Sequence, residues 1–285
     1  RDEDLRADRQ PEFTQIDIEA SFVEQEDIIK LVEGLLGRVF KEARGTDIPT
    51  SFDRITWREA MDTYGSDKPD RRFGLTFVDL SEELKDCEFR VFSGAVAAGG
   101  VVKAINAKGF ADISTGQIDK LTKLAQAAGA KGLAYIQARG EDRESWRSPF
   151  VKRMTDAEVE ALRSKLNIEA GDLILFAADQ WEPACDVLGR VRLECADMQN
   201  LLEGNEELNF LWVTEFPLLA FDEESGRYVA VHHPFTRPLK EDEEKLLNGE
   251  LSTDLRAQAY DVVLNGTELG GGSIRIQEAP LRARM

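Results

Sequence analysis

Between residues 13 and 23 apolar and polar side chains alternate along the chain. Thr14, Ile16, Ile18, Ala20 and Phe22 fall on one side of an extended backbone. Phe13, Gln15, Asp17, Glu19 and Ser21 fall on the other. This period of two predicts a strand with an apolar back and a front bearing carboxylates, an amide and a ring. From Glu24 the period lengthens. Ile28, Ile29, Val32, Leu35, Leu36, Val39 and Phe40 recur at helical spacing, and Gly45 ends the run, so a helix is predicted over 24–44. A short helix is predicted over 57–64.

The middle of the chain has another rhythm. Strand-like runs at 89–92, 101–105, 133–138 and 173–177 alternate with helical patterns at 115–128 and 156–166, and 180–202 reads as a further helix. From Asn209 onward strand signals return at 210–213, 227–232, 260–265 and 267–276. The last two flank Asn265-Gly266, a two-residue hairpin signal. The expected fold is α+β: an antiparallel-sheet domain in two parts, 1–71 and 206–285, interrupted by an inserted α/β domain over 72–205.

The hairpin fixes a register. With Asn265 and Gly266 as the turn, Leu264 pairs with Thr267, Val263 with Glu268 and Asp261 with Gly270. Paired residues share a face, as do residues two apart, so Asp261 and Glu268 project together. Two carboxylates this close repel unless a cation lies between them, and Mg²⁺ with phosphate oxygens is the usual solution. A solvated hairpin face is the other reading. Gly270-Gly271-Gly272 weakens a strand and calls for a bulge or a closely approaching ligand. Plain alternation sets Arg275 on the side opposite Glu268, and a bulge among the glycines returns it.

Further candidates are clustered. His232 and His233 are adjacent in His232-His233-Pro234-Phe235-Thr236, and neighbours on an extended chain point opposite ways, which disfavours a shared metal. A shared metal thus ranks behind the other two readings, one histidine donating to a carboxylate and a packed structural histidine. Arg1, Arg6 and Arg9 lie among Asp2, Glu3, Asp4 and Asp8. They form either a solvated, salt-bridged loop or a clamp for phosphate or carboxylate, with Glu3 reading an amine. Phe13 either stacks a flat base or packs beneath that loop.

Composition narrows the class. At 285 residues and 42% hydrophobic, the chain can bury a sizeable core. A net charge of -18 gives no general attraction to phosphate backbones, so nucleic acid must be held by local basic residues or by another domain. Cys87, Cys185 and Cys195 match neither a disulfide framework nor a metal knuckle and read as reduced thiols of a cytoplasmic protein. No apolar run is long enough to span a bilayer, and nothing reads as a signal peptide.

Together these segments resemble the bacterial-type aspartyl-tRNA synthetases. Arg1-Asp2-Glu3-Asp4-Leu5-Arg6-Ala7-Asp8-Arg9-Gln10-Pro11-Glu12-Phe13-Thr14-Gln15-Ile16-Asp17 is similar to the second class II signature in its aspartate form. The His-His-Pro-Phe-Thr segment and Asn265 through Ile276 resemble two further signatures. The middle resembles the insertion of the bacterial enzymes. The resemblance implies a class II catalytic core, ATP-dependent activation of L-aspartate and transfer of the aspartyl group to tRNA. It implies Mg²⁺ with ATP, no tightly bound organic cofactor and a homodimeric, cytoplasmic enzyme. By the same resemblance Arg1 is catalytic, and Arg1, Asp2, Glu3, Gln10, Phe13 and Glu268 contact ATP. Arg1, Asp17, His232 and Arg275 hold L-aspartate, and Asp261 and Glu268 hold the metal. The chain opens in mid-motif and carries neither the first nor the third class II signature, which predicts an internal fragment with a partial catalytic core. A non-catalytic synthetase-like module that binds tRNA or another partner is the alternative.

Overall fold

The computed structural model describes residues 12–285. The chain divides into two compact units, Arg1–Ser51 and Phe52–Met285.

In the first unit the helix forms as its spacing predicts. α1 spans Gln25–Arg44. The Asp27 carboxylate accepts the Glu24 N–H (2.9 Å) at its start. Gly45 ends it at φ 67°, where its N–H donates to the Lys41 carbonyl. The strand expected over 13–23 does not form: residues 13–20 have no regular structure, and the chain bends at Ser21 and Phe22. Alternation says only which side chains would share a face. A strand also needs a neighbour for its backbone groups and a continuous extended chain. Phe22, at φ 62°, breaks that extension.

The second unit begins with β1 (Asp53–Thr56), which runs directly into α2 (Trp57–Tyr64). A capping box makes that junction. Thr56 Oγ1 accepts the Glu59 N–H (3.1 Å), and the Glu59 carboxylate accepts the Thr56 N–H (2.8 Å). Next come β2 (Val78–Asp79), α3 (Ser81–Leu84), α4 (Arg90–Ala97), β3 (Val101–Ala107), α5 (Thr115–Ala127), β4 (Ala134–Ala138), β5 (Trp146–Arg147), α6 (Asp156–Leu166), β6 (Asp172–Asp179) and α7 (Trp181–Met198). The chain then forms β7 (Phe210–Thr214), a hairpin of β8 (Leu219–Asp222) and β9 (Arg227–Ala230), α8 (Glu243–Leu247), β10 (Ala259–Leu264), β11 (Thr267–Ser273) and α9 (Ala279–Arg282). Among the described residues no helix is long and apolar enough to cross a membrane.

Two larger sheets organise this unit, apart from the two-stranded β8–β9 hairpin. One has the order β2-β3-β6-β4-β5 and is antiparallel throughout. Both of its faces are buried. Val102, Ala104, Ile174 and Phe176 pack on one side with Leu162 of α6 and Phe92 of α4. Ile105, Leu173 and Leu175 pack on the other with Leu121 of α5 and Leu188 of α7. This double burial is why β6 reads as an unbroken apolar run. The other sheet has the order β1-β7-β10-β11. Its β1 and β7 pair in parallel, Asp53 opposite Leu211, although the whole first sheet lies between them in sequence.

One predicted strand is a helix instead. The run at 89–92 forms the start of α4. Phe89, Phe92 and Val96 pack in the same core at helical spacing. Phe92 meets Phe150 and Phe176 with ring centroids 5.1 and 5.3 Å apart. Burying one such ring contributes ~2 kcal/mol.

The two sheets are joined through α2 and α7. A Cβ on Gly189 would lie 2.4 Å from the Gly65 carbonyl oxygen, so the helix and the loop touch backbone to backbone. Beside that contact, Lys103 (1% exposed) donates from Nζ to Asp62 Oδ1 at 2.7 Å. Trp181 Nε1 donates to the same oxygen at 2.7 Å, and Arg58 lies 3.5 Å above the Trp181 ring.

Candidate functional site

The β10–β11 hairpin carries the acids. Asn265 and Gly266 have φ 52° and 82°, both positive, as a two-residue turn of this twist requires. Leu264 pairs with Thr267 and Val263 with Glu268, as expected. Beyond that the register shifts: Val262 pairs with Gly270 and Asp261 with Gly271, leaving Leu269 as the extra residue of a bulge. The expected Asp261–Gly270 pairing is therefore off by one. Asp261 and Glu268 still share a face, because the slip lies on the glycine side of Glu268.

Two of the three glycines acquire a steric reason. A Cβ on Gly271 would lie 2.1 Å from Asp261 Oδ1. A Cβ on Gly272 would lie 2.9 Å from Cε2 of the Tyr260 ring. Adjacent glycines thus accommodate side chains from opposite faces of β10. Gly270 has open space around its Cβ position.

The acid face is electrostatically unbalanced. Burial first, then Glu268 and Asp67, push the Asp261 carboxyl up to about 8. Asp67 lies in the loop after α2 and also acts on His232. That imidazole packs edge-on against Phe216, centroids 4.8 Å apart. This burial lowers its pKa against the opposing pull of Asp67, although the residue as a whole remains exposed. His233 has a local role: its Nδ1 accepts the Phe235 N–H at 3.1 Å. Arg275 is exposed, two residues past the end of β11, with its backbone bridged to Thr236. Its charge acts on the Tyr260 hydroxyl, whose pKa burial raises.

Asp261, Glu268, Asp67 and His232 thus form one electrostatic neighbourhood, while Arg275, just past the end of β11, acts on Tyr260, whose side chain leaves β10 on the opposite face. Arg1, Asp2, Glu3 and Gln10 lie outside the described residues. Phe13 (half-buried) and Asp17 (exposed) belong to the first unit, in the irregular chain before α1.

Asp67 escaped the sequence reading. Its signal was the turn-rich Gly65-Ser66-Asp67-Lys68-Pro69-Asp70 between a helix and Arg71-Arg72, a loop chemically richer than a connection needs.

Among the described residues no group of three or more His, Cys, Asp or Glu side chains is arranged to hold a metal by itself. Two hard carboxylates on one face, one of them raised by burial and then by like charge, suit Mg²⁺. That ion binds through one or two carboxylates together with phosphate oxygens.

Comparison with known proteins matches residues 1–285 to the family described as tRNA synthetases class II (D, K and N). The chain is 51% identical over 289 residues to the aspartate–tRNA(Asp/Asn) ligase of Opitutus terrae and 53% over 289 to that of Symbiobacterium thermophilum. It is 54% identical over 286 residues to the aspartate–tRNA ligase of Geobacillus kaustophilus. Each comparison takes in 100% of this chain and 48% of the relative, so the chain spans about half the length of the curated relatives it matches.

Proposed function

The chain belongs to the class II tRNA synthetases of the D, K and N group, and we propose that the protein carrying it activates L-aspartate with ATP and transfers the aspartyl group to tRNA. The activities named for its relatives support this reading. The observation that carries it is the acid pair of the hairpin: Asp261 and Glu268 share a face, with Asp261 pushed up to about 8 by burial and like charge. That face is a receptor for a cation bearing phosphate.

In the proposed reaction an oxygen of the aspartate α-carboxylate attacks the α-phosphorus of ATP, and pyrophosphate leaves. No protein nucleophile is needed. The protein aligns two anions and stabilises the charge that builds between them. Arg1 supplies the guanidinium at the α-phosphate, and Asp2, Glu3, Gln10, Phe13 and Glu268 line the ATP site. Asp17 answers the substrate ammonium, His232 borders the aspartate, and Arg275 pairs with its side-chain carboxylate. Asp261 and Glu268 would hold Mg²⁺, which when bound neutralises phosphate charge. Selectivity against asparagine follows, because a neutral amide facing Arg275 forfeits a charge-assisted bond.

The proposed domain plan places residues 72–205 as an insertion between the two parts of the catalytic core, 1–71 and 206–285. Its support is that one sheet draws all its strands from Val78 to Asp179, while β1 and β7 pair across that interval. A cytoplasmic homodimer is part of the same proposal.

Thermal denaturation of the full-length protein with a non-hydrolysable aspartyl-adenylate mimic tests the reading. A ligand at a hundred times its Kd adds about 2.7 kcal/mol of stability, and a clear rise in Tm is expected. An unchanged Tm at saturating mimic would contradict it.

A further inference from the structure

Arg192 lies outside every residue assigned above, yet it is among the largest fully buried side chains of the molecule, 1% exposed. Its hydrogen bonds run to backbone carbonyls rather than to a carboxylate. Nη2 donates to the Asp70 and Gly74 oxygens at 2.6 Å each, and Nε donates to Gly74 at 3.0 Å and Leu75 at 3.2 Å. The guanidinium carbon also lies 4.1 Å from the centre of the Phe73 ring and 5.0 Å from that of Tyr64. A planar fork satisfied in this way fixes the path of one loop.

The far side of that loop seats the acid-bearing hairpin. A Cβ on Gly266, in the turn itself, would lie 3.2 Å from Asp70 Cβ. The Asp70 carboxylate is locked to Arg72 at 2.6 Å, with both side chains largely buried. Arg71 donates from Nε to Asn209 Oδ1 at 2.8 Å, Asn209 N–H donates to Asn265 Oδ1 at 3.0 Å, and Asn265 Nδ2 donates to the Glu207 carbonyl at 2.8 Å. Contacts thus run without a gap from α7, through residues 70–72, to the turn between β10 and β11. The backbone contact of Gly189 with Gly65 ties the same helix to the start of the same loop.

We propose that Arg192 is a positioning residue for Asp261 and Glu268: by gripping the carbonyls of the 70–75 loop it sets the seat of the Asn265-Gly266 turn, and so the spacing of the two acids. The inference rests on the proposed reading of those acids as the seat of magnesium and ATP. It also makes α7, which packs on the five-stranded sheet, a support of the hairpin in the other sheet.

The test uses the full-length protein, Arg192→Lys, and Leu121→Ala as a control that removes buried volume from the same helix layer without touching the loop. Deuterium uptake over 259–273 is compared at matched loss of Tm, with the Mg²⁺ and aspartate dependence of aspartate-dependent ATP–pyrophosphate exchange. Lysine keeps the charge but lacks the fork that reaches three carbonyls. Arg192→Lys is expected to raise uptake at the turn and to raise the half-saturating Mg²⁺ concentration about tenfold, with the aspartate KM unchanged. Leu121→Ala is expected to do neither. Unchanged uptake and Mg²⁺ dependence in Arg192→Lys, or equal changes in Leu121→Ala, would overturn the proposal. Absence of exchange in the unsubstituted protein would sink the catalytic reading alone, and deuterium uptake would still decide the role of Arg192.

Discussion

The Asp261 carboxylate lies against the backbone of Gly271, so closely that a Cβ on the glycine would come within 2.1 Å of Oδ1. The glycine is needed for the position of an acid on the opposite strand. Gly271→Ala must therefore move the carboxylate or part the strands, at a cost of ~2 kcal/mol, and should weaken the response to Mg²⁺. Gly272→Ala meets the Tyr260 ring on the other face. It should lower Tm and leave the Mg²⁺ dependence intact. Thermal melts across a Mg²⁺ titration separate the two, and a Gly271→Ala protein that responds to Mg²⁺ like its parent would refute the steric assignment.

The raised pKa of Asp261 sets a pH dependence of stability. Its folded value of about 8 stands above the ordinary 3.8. Between those values the folded chain holds a proton that the unfolded chain has released. This contribution is therefore fully present below the unfolded pKa and is lost as pH rises through the folded one. Asp261→Asn cannot ionise, so without metal its Tm should fall less than that of the parent from acid to mildly alkaline pH. Identical Tm–pH curves for the two proteins would show that Asp261 is not so perturbed.

The joint between the sheets depends on one half-exposed acid serving a buried cation. Lys103 is 1% exposed, and Asp62 gives it a carboxylate at 2.7 Å and a carbonyl at 3.1 Å. The Asp62 pKa is lowered: its burial opposes this, but the bonds from Lys103 and Trp181 outweigh it. Asp62→Ala leaves the ammonium with the carbonyl alone and should cost about 3 kcal/mol. Replacing Lys103 by Met in the Asp62→Ala background should recover part of that loss. Urea unfolding gives both values, and a double variant no more stable than Asp62→Ala would count against a buried unpaired charge as the cause.

Local rules carried most of the secondary structure. The Gly45 stop, the Asn265-Gly266 turn and the apolar runs of β3 and β6 each follow from a few neighbouring residues, and each lies where the sequence predicts. What depended on distant partners was less visible. The 13–23 alternation describes a strand that the fold does not form, and the 89–92 run is too short for its period to distinguish strand from helix. In the site, the shared face of Asp261 and Glu268 was legible because a hairpin is local. The bulge at Leu269 was foreseen as a device but not at its residue, since the Asp261 carboxylate over Gly271 is a cross-strand fact. Asp67 and Arg192 act through contacts made only in three dimensions, and no spacing in the chain announces them.

The proposed ligand of this sheet is an aspartyl adenylate. Aspartate-dependent ATP–pyrophosphate exchange by the full-length protein, compared between the parent and Arg275→Leu, tests it most directly. Arg275 is exposed and its loss should barely move Tm. Exchange with aspartate but not with asparagine is expected in the parent, and its abolition in Arg275→Leu. Near-normal exchange in that variant, or a folded parent inert toward aspartate, would contradict it.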